Sequence, residues 1–573
     1  MSLLVSARLR SLGTFSSVFV LTTIGAIVGG IEPARAVCSP TSGSNVSCTG
    51  TTVNQAGGGQ GYTAFFSNVT VGSDASVIGS SVGMFTLVST VTNAGTISGT
   101  NGGIVVGNQT VIYNSGVISG GVGIAAGPIA YAPTAEITNS GTIIGTAGFA
   151  ISVNTTSALT LLPGSKIAGS ILISGFAHLN VSAANQNLTF FNSLGGMTVT
   201  IGPGLPGVAS GNTLVTVDPT MFGVTDRTLL AFTGAVTGIA GSRTSTGSAS
   251  GDALGFAATE NATSSVDDAF AQVMGYAKTS TDAVWFKNPT VTAPDGTTVW
   301  ARGFTGHRVQ QADGVSLRNV TDFYGGAIGI DKRVAPDLLL GGYGGGGSTL
   351  TRIDPAMGDA RSDIGFGGIY GRKDIGKTFI DFGLLGGATS NHSSRIINNN
   401  LAAGGLETAT ANFGGWFVSP ELALGYRHAL APGWTLTPTA RVRYLAAGYD
   451  GYTESGSTAN LTIGNRTLQN VEERGELNLT YTTLTDAVRF QIGGYGGVIG
   501  QQRVGDSDVN ATLLGQALAF AAPGHASIAG GFVGTTLDWR LRSGVGIYGG
   551  VEYTALTDHS STVTGRAGLR VGF

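Results

Sequence analysis

Charge is the first thing this chain is short of. Only 11% of its 573 residues are Asp, Glu, Lys or Arg, and the formal net charge is −3. That balance offers no basic surface to a nucleic acid, so no nucleic-acid partner is expected. Cysteine is nearly absent: Cys38 and Cys48 are the only two. Two thiols with no His beside them cannot complete a four-coordinate zinc site. The six His are scattered without ligand spacing, so no metal and no other cofactor is expected. Apolar runs long enough for a membrane helix are also missing after residue 28. If the mature chain crosses a membrane, it does so with strands. H-E-x-x-H does not occur, and no catalytic residues are assigned. What the chain has instead is glycine, 94 residues of it, on a background that is still 42% hydrophobic. That apolar content sets it apart from a disordered tail.

The N-terminus reads as a secretory signal over residues 1–36. Arg8 and Arg10 form a positive region, Leu12 to Val28 is apolar apart from small and hydroxyl residues, and Ala34-Arg35-Ala36 is a cleavage site. Cleavage between Ala36 and Val37 is therefore expected, rather than retention as a spanning helix. An exported chain meets an oxidising compartment, so Cys38 and Cys48 are expected to form a small disulfide loop.

A repeat follows. Asn93-Ala-Gly95-Thr-Ile97-Ser-Gly99 recurs as Asn114-Ser-Gly116-Val-Ile118-Ser-Gly120 and as Asn139-Ser-Gly141-Thr-Ile143-Ile-Gly145. Each copy is trailed by a second short apolar strand. A repeat of this length with short strands predicts a β-solenoid over residues 37–232. Ile97, Ile118 and Ile143 should form one inward column. Gly and Asn should take the positive-φ corners, and Asn should form ladders between coils. The periodic Ile and Val argue against a flexible linker.

Residues 233–264 are rich in Gly, Ser, Thr and Ala and read as a linker. A capping box at Ser265 to Asp268, then Val266, Phe270, Val273 and Ala277 at helical spacing, predict a helix over residues 265–286, within a segment ending at 290. From residue 291 to 573 the chain alternates with period two. Leu537, Trp539 and Leu541 oppose Asp538, Arg540 and Arg542; Val442 and Tyr444 oppose Arg441 and Arg443; Ile547, Val551 and Tyr553 oppose Tyr548 and Glu552. About twelve such segments can be counted. Alternation alone fits a sandwich or a membrane barrel. Aromatics near segment ends, at Trp300, Phe304, Tyr324, Trp416, Tyr426, Trp434, Tyr444, Tyr449 and Tyr452, suit interfacial girdles and favour the barrel. Gly342 to Gly347 matches G-x-G-x-x-G, but no helix follows to hold a pyrophosphate. Glycine there is read as making room in a barrel lumen.

The last eight residues carry Arg566, Gly568, Val571 and a terminal Phe573 in the spacing of an outer-membrane targeting signal. The segments Val299 to Phe304, Gly326 to Asp331, Tyr370 to Arg372, Ser419 to Leu422 and Leu436 to Arg441, with this terminal strand, resemble the autotransporter β-domain family of type V secretion. The N-x-G-x-I-x-G units resemble filamentous-haemagglutinin-like passengers. These resemblances imply a Gram-negative outer-membrane protein, all-β, with a parallel β-helix passenger and a C-terminal 12-stranded antiparallel barrel threaded by a helix. They imply outer-membrane lipid and the barrel assembly machinery as partners. The passenger is then displayed at the cell surface and expected to bind a ligand there, whether a sugar, matrix or another copy of itself. The competing readings are a secreted enzyme and a porin-like channel. Family members that release their passenger often cut between two Asn in the pore helix. Residues 265–286 hold no Asn, so an uncleaved product is expected.

Overall fold

The computed structural model describes residues 37–127, 134–153, 158–173, 177–247, 291–292, 297–485, 488–541 and 545–571. Among them the chain forms a solenoid, one α-helix and a closed barrel.

The solenoid makes about seven turns. One of its sheets stacks Asn45–Cys48, Asn68–Val71, Thr90–Asn93, Thr110–Asn114, Ala135–Asn139, Ala158–Leu161, His178–Val181 and Thr198–Ile201, each parallel to the next. Cys38–Ser39 lies antiparallel on its first strand, and Cys38 is disulfide-bonded to Cys48. A second sheet runs from Thr51–Val53 through Ser76–Gly79, Thr96–Val106, Val117–Ala126 and Thr142–Val153 to Lys166–Ile173. Gln60–Phe65 and Val82–Leu87 extend it sideways. Ile97, Ile118 and Ile143 are in register on consecutive coils and fully buried. Burial of each contributes about 1.5–3 kcal/mol.

The repeat's Asn and Gly act differently from the sequence expectation. Asn93, Asn114 and Asn139 sit inside strands, buried, as a ladder. Asn93 Nδ2 donates to Asn114 Oδ1, and Asn114 Nδ2 to Asn139 Oδ1, both at 2.7 Å. The following glycines do not have positive φ. They let coils approach: a Cβ on Gly116 would lie 2.1 Å from the Gly95 carbonyl oxygen. Left-handed positions elsewhere in the solenoid are held by glycines such as Gly50, Gly59, Gly164 and Gly211, as expected, and by Asn54, Phe66, Val88, Gln109 and Asn185.

The α-helix spans Thr220–Gly247. This corrects two readings: the solenoid ends before 232, and the first half of the expected 233–264 linker is helical. The expected helix at 265–286 lies outside the described residues. Twelve long strands follow: Thr297–Gln310, Asn319–Ala335, Leu338–Ile353, Gly358–Ile375, Thr378–Asn399, Leu406–Tyr426, Trp434–Tyr449, Arg466–Leu484, Val488–Arg503, Ser527–Leu541, Val545–Leu556 and Ser560–Val571. Each is antiparallel to the next. The last strand pairs with the first from Gly303↔Ala567 to Gln310↔Ser560. Closure satisfies edge N–H and C=O groups that would each cost several kcal/mol in lipid.

Period two decides the faces. Tyr324, Ile328, Ile330, Trp416, Leu422, Leu424, Trp539, Ile547 and Val551 point outward and are exposed, whereas Arg302, Arg308, Arg443, Asp538 and Glu552 are buried inside. An apolar exterior around a charged interior is the inverse of a soluble barrel and suits lipid. The girdle expectation needs one correction. Trp300, Phe304 and Tyr449 are buried in the lumen rather than at the lipid boundary. One end of the barrel has short turns, as at 336–337 and 376–377. The other has the longer connections 450–465 and 504–526, which marks it as the extracellular end. There Tyr452–Thr453, Thr462–Ile463, Asp508–Leu513 and Gln516–Ala521 form a small sheet of their own.

Candidate functional site

The site is the barrel lumen with the helix inside it, together with the junction where the solenoid meets the barrel rim. At the rim, the Asp218 carboxylate accepts the Thr220 N–H at 2.9 Å and its hydroxyl at 2.5 Å, giving the helix's first turn an acceptor. Burial pushes the Asp218 carboxyl above its usual range, opposed by the Thr220 hydrogen bonds and by Arg395. The helix then runs from the long-loop end inward. Phe222 packs edge-on to Phe520 of the extracellular sheet, and Asp226 pairs with Arg466 at 2.7 Å. Deeper in, Ile239 and Gly238 meet the first and last strands.

The helix packs on the lumen wall through its apolar side. Leu229, Phe232, Val236 and Ile239 join Trp300, Phe304, Phe323 and Phe366 in one buried cluster. Phe232 lies against Gly347, where a Cβ would approach its ring to 2.8 Å. Gly347 of the 342–347 run thus makes room for the helix.

Along its glycine side the helix is held by arginines of the wall. Arg302 donates to the Ile239 carbonyl at 3.0 Å, Arg566 to the Gly238 carbonyl at 2.9 Å, and Arg443 to the Leu230 carbonyl at 3.1 Å and the Thr233 hydroxyl at 2.8 Å. A Cβ on Gly238 would lie 2.9 Å from the Arg566 guanidinium, so glycine is what lets the wall reach the backbone. The arginines are balanced across the lumen: Arg443 pairs with Glu472 at 2.9 Å, Arg474 with Glu552 at 2.9 Å, and Arg441 with Glu421 at 3.1 Å. Beside the helix remains a cavity of about 1030 Å³, with Arg441, Arg474, Glu476, Asp538 and Glu552 among its lining residues.

The junction is built from backbone and Asn. The top of the fifth strand, at Asn398 and Asn399, pairs in parallel with Gln186 and Asn187 of the passenger. Asn400 takes the Thr189 N–H on its Oδ1 and gives its Nδ2 to the Thr189 and Gly169 carbonyls, at 2.8, 2.8 and 3.0 Å. Gly169 N–H donates to the Asn400 carbonyl at 2.7 Å. A barrel hairpin thus serves as the next rung of the solenoid. Below it, Val208, Val215 and Val217 share a buried cluster with Phe222, Ile397, Leu461, Val509 and Leu513.

The sequence-predicted residues fall in separate places. Cys38 and Cys48 clip the solenoid tip, and Ile97, Ile118 and Ile143 fill its core. Arg566 faces the helix, Gly568 pairs with Tyr548, and Val571 with Val545 in the closing strand. Ala36 and Phe573 lie outside the described residues, and Val37 is the first described. The sequence reading missed the role of Arg302 and Arg566 toward the helix, and that of Asn398 to Asn400. Lumen parity marks the arginines, but the helix they meet, Thr220–Gly247, had been read as solenoid and linker. Among the described residues no three His, Cys, Asp or Glu could hold a metal, and no helix is long and apolar enough to cross a membrane.

Residues 299–552 match the family described as autotransporter beta-domain. This region is an autotransporter β-domain. The translocator barrel places the chain in the bacterial outer membrane with its passenger at the cell surface. In solved structures, the translocator domain of autotransporter NalP from Neisseria meningitidis is similar at 16% identity and a TM-score of 0.38, covering 53% of this chain and 96% of that one. The transport unit of AIDA-I from Escherichia coli is similar at 14% identity and a TM-score of 0.34, covering 53% and 98%. Outer membrane protein A of Rickettsia rickettsii is 26% identical over 171 residues, 29% of this chain. The match spans 8% of that relative's length.

Proposed function

We propose that the chain is a self-exporting adhesin whose translocator delivers the solenoid and then retains it, uncleaved, as a binding surface. The mature chain begins at Val37. The terminal Phe573, with Arg566, Gly568 and Val571, directs the barrel to its assembly machinery. The observation that carries the reading is the outer face of the first sheet. Coil register sets Thr70, Thr92, Tyr113, Thr138, Thr160 and Asn180 in one straight column. Neighbouring strands lie ~4.8 Å apart, so the column is a regular row of hydroxyl and amide groups. Such a row suits many weak polar contacts, as to a sugar or matrix polymer. A catalytic passenger finds little support, because no two of Asp74, Glu136, Lys166 and His178 are register partners, Glu136 and His178 having Ala158 between them. The junction supports retention, since the barrel itself supplies a rung of the solenoid. A channel activity is the second reading, favoured by the cavity beside the helix.

The test displays the full chain, and a form lacking residues 60–200, on a non-adherent Gram-negative host. The full chain should confer binding to glycan- or matrix-coated surfaces. If the shortened form binds equally well, the passenger is not the adhesive part.

A further inference from the structure

We propose that the outer wall of the first five barrel strands, just above the hydrocarbon belt, binds the phosphorylated glycolipid headgroup of the outer leaflet through Arg352 and Arg361. The fifth strand measures the belt. Its outward positions Ile380, Phe382, Leu384, Gly386 and Ala388 carry no polar group. At ~3.4 Å per residue and a tilt of about 40°, this stretch rises ~23 Å, close to the ~25 Å apolar band of such barrels. Trp416 lies opposite Ala388 and is exposed, as is Tyr324 on the second strand, so the upper aromatic girdle stands at this level. The strand does not stop there. It continues with Ser390, His392 and Ser394 on the same face and ends at Asn399. The wall therefore passes through the headgroup layer.

Charge on this upper wall is confined to one side. Strands one to five turn His307, Asp322, Arg352, Arg361, Asp363 and His392 outward, with Asp359 beside them. Among the described residues, the outward positions of strands six to twelve carry one charged side chain, Glu473. A charge facing lipid is costly at mid-bilayer and far less so near the interface. Height thus permits the charged sector, but height alone does not put it on one side.

The sector is laid out in register. Across the third and fourth strands Ser348 pairs with Asp363, Leu350 with Arg361 and Arg352 with Asp359. Arg352 and Arg361 are diagonal neighbours, ~7–8 Å apart, so one phosphate can meet both. Two of the acids beside them are already engaged. Asp322 holds His307 at 2.7 Å and reaches Arg352 only at 3.9 Å. Asp363 accepts the Ser348 hydroxyl at 2.5 Å and Arg361 Nη2 at 3.1 Å. Both arginines stay open to the outside, with side chains 62% and 59% exposed. His392 stands in register with Arg361 and is bonded to Asn412 at 2.9 Å.

The occupant follows from continuity. This wall is the upward extension of the lipid-facing belt, so whatever heads the outer leaflet lies against it. In a Gram-negative outer membrane that is a glycolipid with phosphates on its sugars. Guanidinium groups take phosphate oxygens two at a time, and Ser390, His392 and Asn412 offer polar groups to sugar hydroxyls. The fifth strand also carries the passenger at Asn398 and Asn399, so a bound headgroup braces the strand on which the solenoid rests.

The test reconstitutes the purified full chain in phosphatidylcholine vesicles that contain lipopolysaccharide or, as the anionic control, phosphatidylglycerol. After re-extraction, retained lipid is counted by mass spectrometry. Wild type should keep lipopolysaccharide and shed phosphatidylglycerol. Arg352→Ser combined with Arg361→Ser should keep roughly tenfold less, from the loss of two charge-assisted contacts. Glu473→Gln on the opposite wall should match wild type. If the double variant does not insert, wild type decides alone: its heat-modifiable transition should lie several degrees higher in lipopolysaccharide vesicles than in phosphatidylglycerol ones. Wild-type retention by the double variant, equal retention of both lipids by wild type, or an unshifted transition overturns the proposal. A fall in retention with Asp359→Asn overturns it too, because the acid rather than the two arginines would then hold the headgroup.

Discussion

Phe232→Ala removes the side chain that seats the helix in the barrel. Phe232 is fully buried, with ring centroids 5.3 Å from Phe304 and 5.9 Å from Phe366, both edge-on. Truncating a buried Phe costs about 3–5 kcal/mol. The two edge-to-face contacts account for ~0.5–1.5 kcal/mol each within that loss. The strand ladder does not involve this side chain, so the whole cost falls on the contact between helix and wall. At ~1.4 kcal/mol per tenfold, a loss of about 3 kcal/mol raises the unseated population on the order of 100-fold. The remaining arginine bonds to Leu230, Gly238 and Ile239 keep the helix tethered, so openings should be brief. In planar bilayers the variant should open far more often than wild type, and cells carrying it should become sensitive to large polar antibiotics. Heat-modifiable gel mobility should stay normal, because the barrel is intact. Thr237→Ala is the control: its hydroxyl bonds only within the helix, to Gly234 at 3.2 Å, and lines the cavity. If Phe232→Ala stays as closed as wild type, or if Thr237→Ala opens equally, the aromatic seat does not hold the helix.

Ile118→Asp should destroy protease resistance of the displayed solenoid, since an unpaired carboxylate there is buried on every side; an unaltered digestion pattern would refute the column. Asn400→Ala should loosen the passenger base by removing three hydrogen bonds, each worth ~0.5–1.5 kcal/mol net, and limited proteolysis should then cut near Gly169 or Thr189 first. Deleting Phe573 should leave export to the periplasm unchanged but reduce barrel insertion and surface display, read by heat-modifiable mobility and protease shaving. N-terminal sequencing of the displayed chain should begin at Val37, and no free passenger should collect in the medium.

Local rules carried much of this protein. Period-two alternation separates an apolar face, with Leu422 and Val551, from a charged one, with Arg443 and Asp538, and the aromatic positions and family resemblance turned the apolar face to lipid, so the barrel and its faces were legible along the chain. The N-x-G-x-I-x-G repeat likewise foretold stacked coils, because Ile at a fixed phase has to share one interior. The lumen helix was illegible for a physical reason. A helix on the surface of a globule announces itself by one apolar stripe. Thr220–Gly247 meets the barrel wall on more than one side, with aromatics meeting Phe232 and arginines meeting Gly234 and Gly238. Its Gly, Thr and Ser therefore imitate a linker, and its stability comes from partners over 60 to more than 300 residues away, Arg302 and Arg566 among them. The junction is the same case in backbone form. Nothing beside Asn398, Asn399 and Asn400 in the sequence says that they continue a solenoid whose nearest strand, Gln186–Thr189, lies some two hundred residues earlier. The sequence by itself determined the strands of the solenoid and barrel and which of their side chains share a face. Only the tertiary structure decided which segment fills the pore and which strand finishes the coil, because both depend on contacts between residues that the chain keeps far apart.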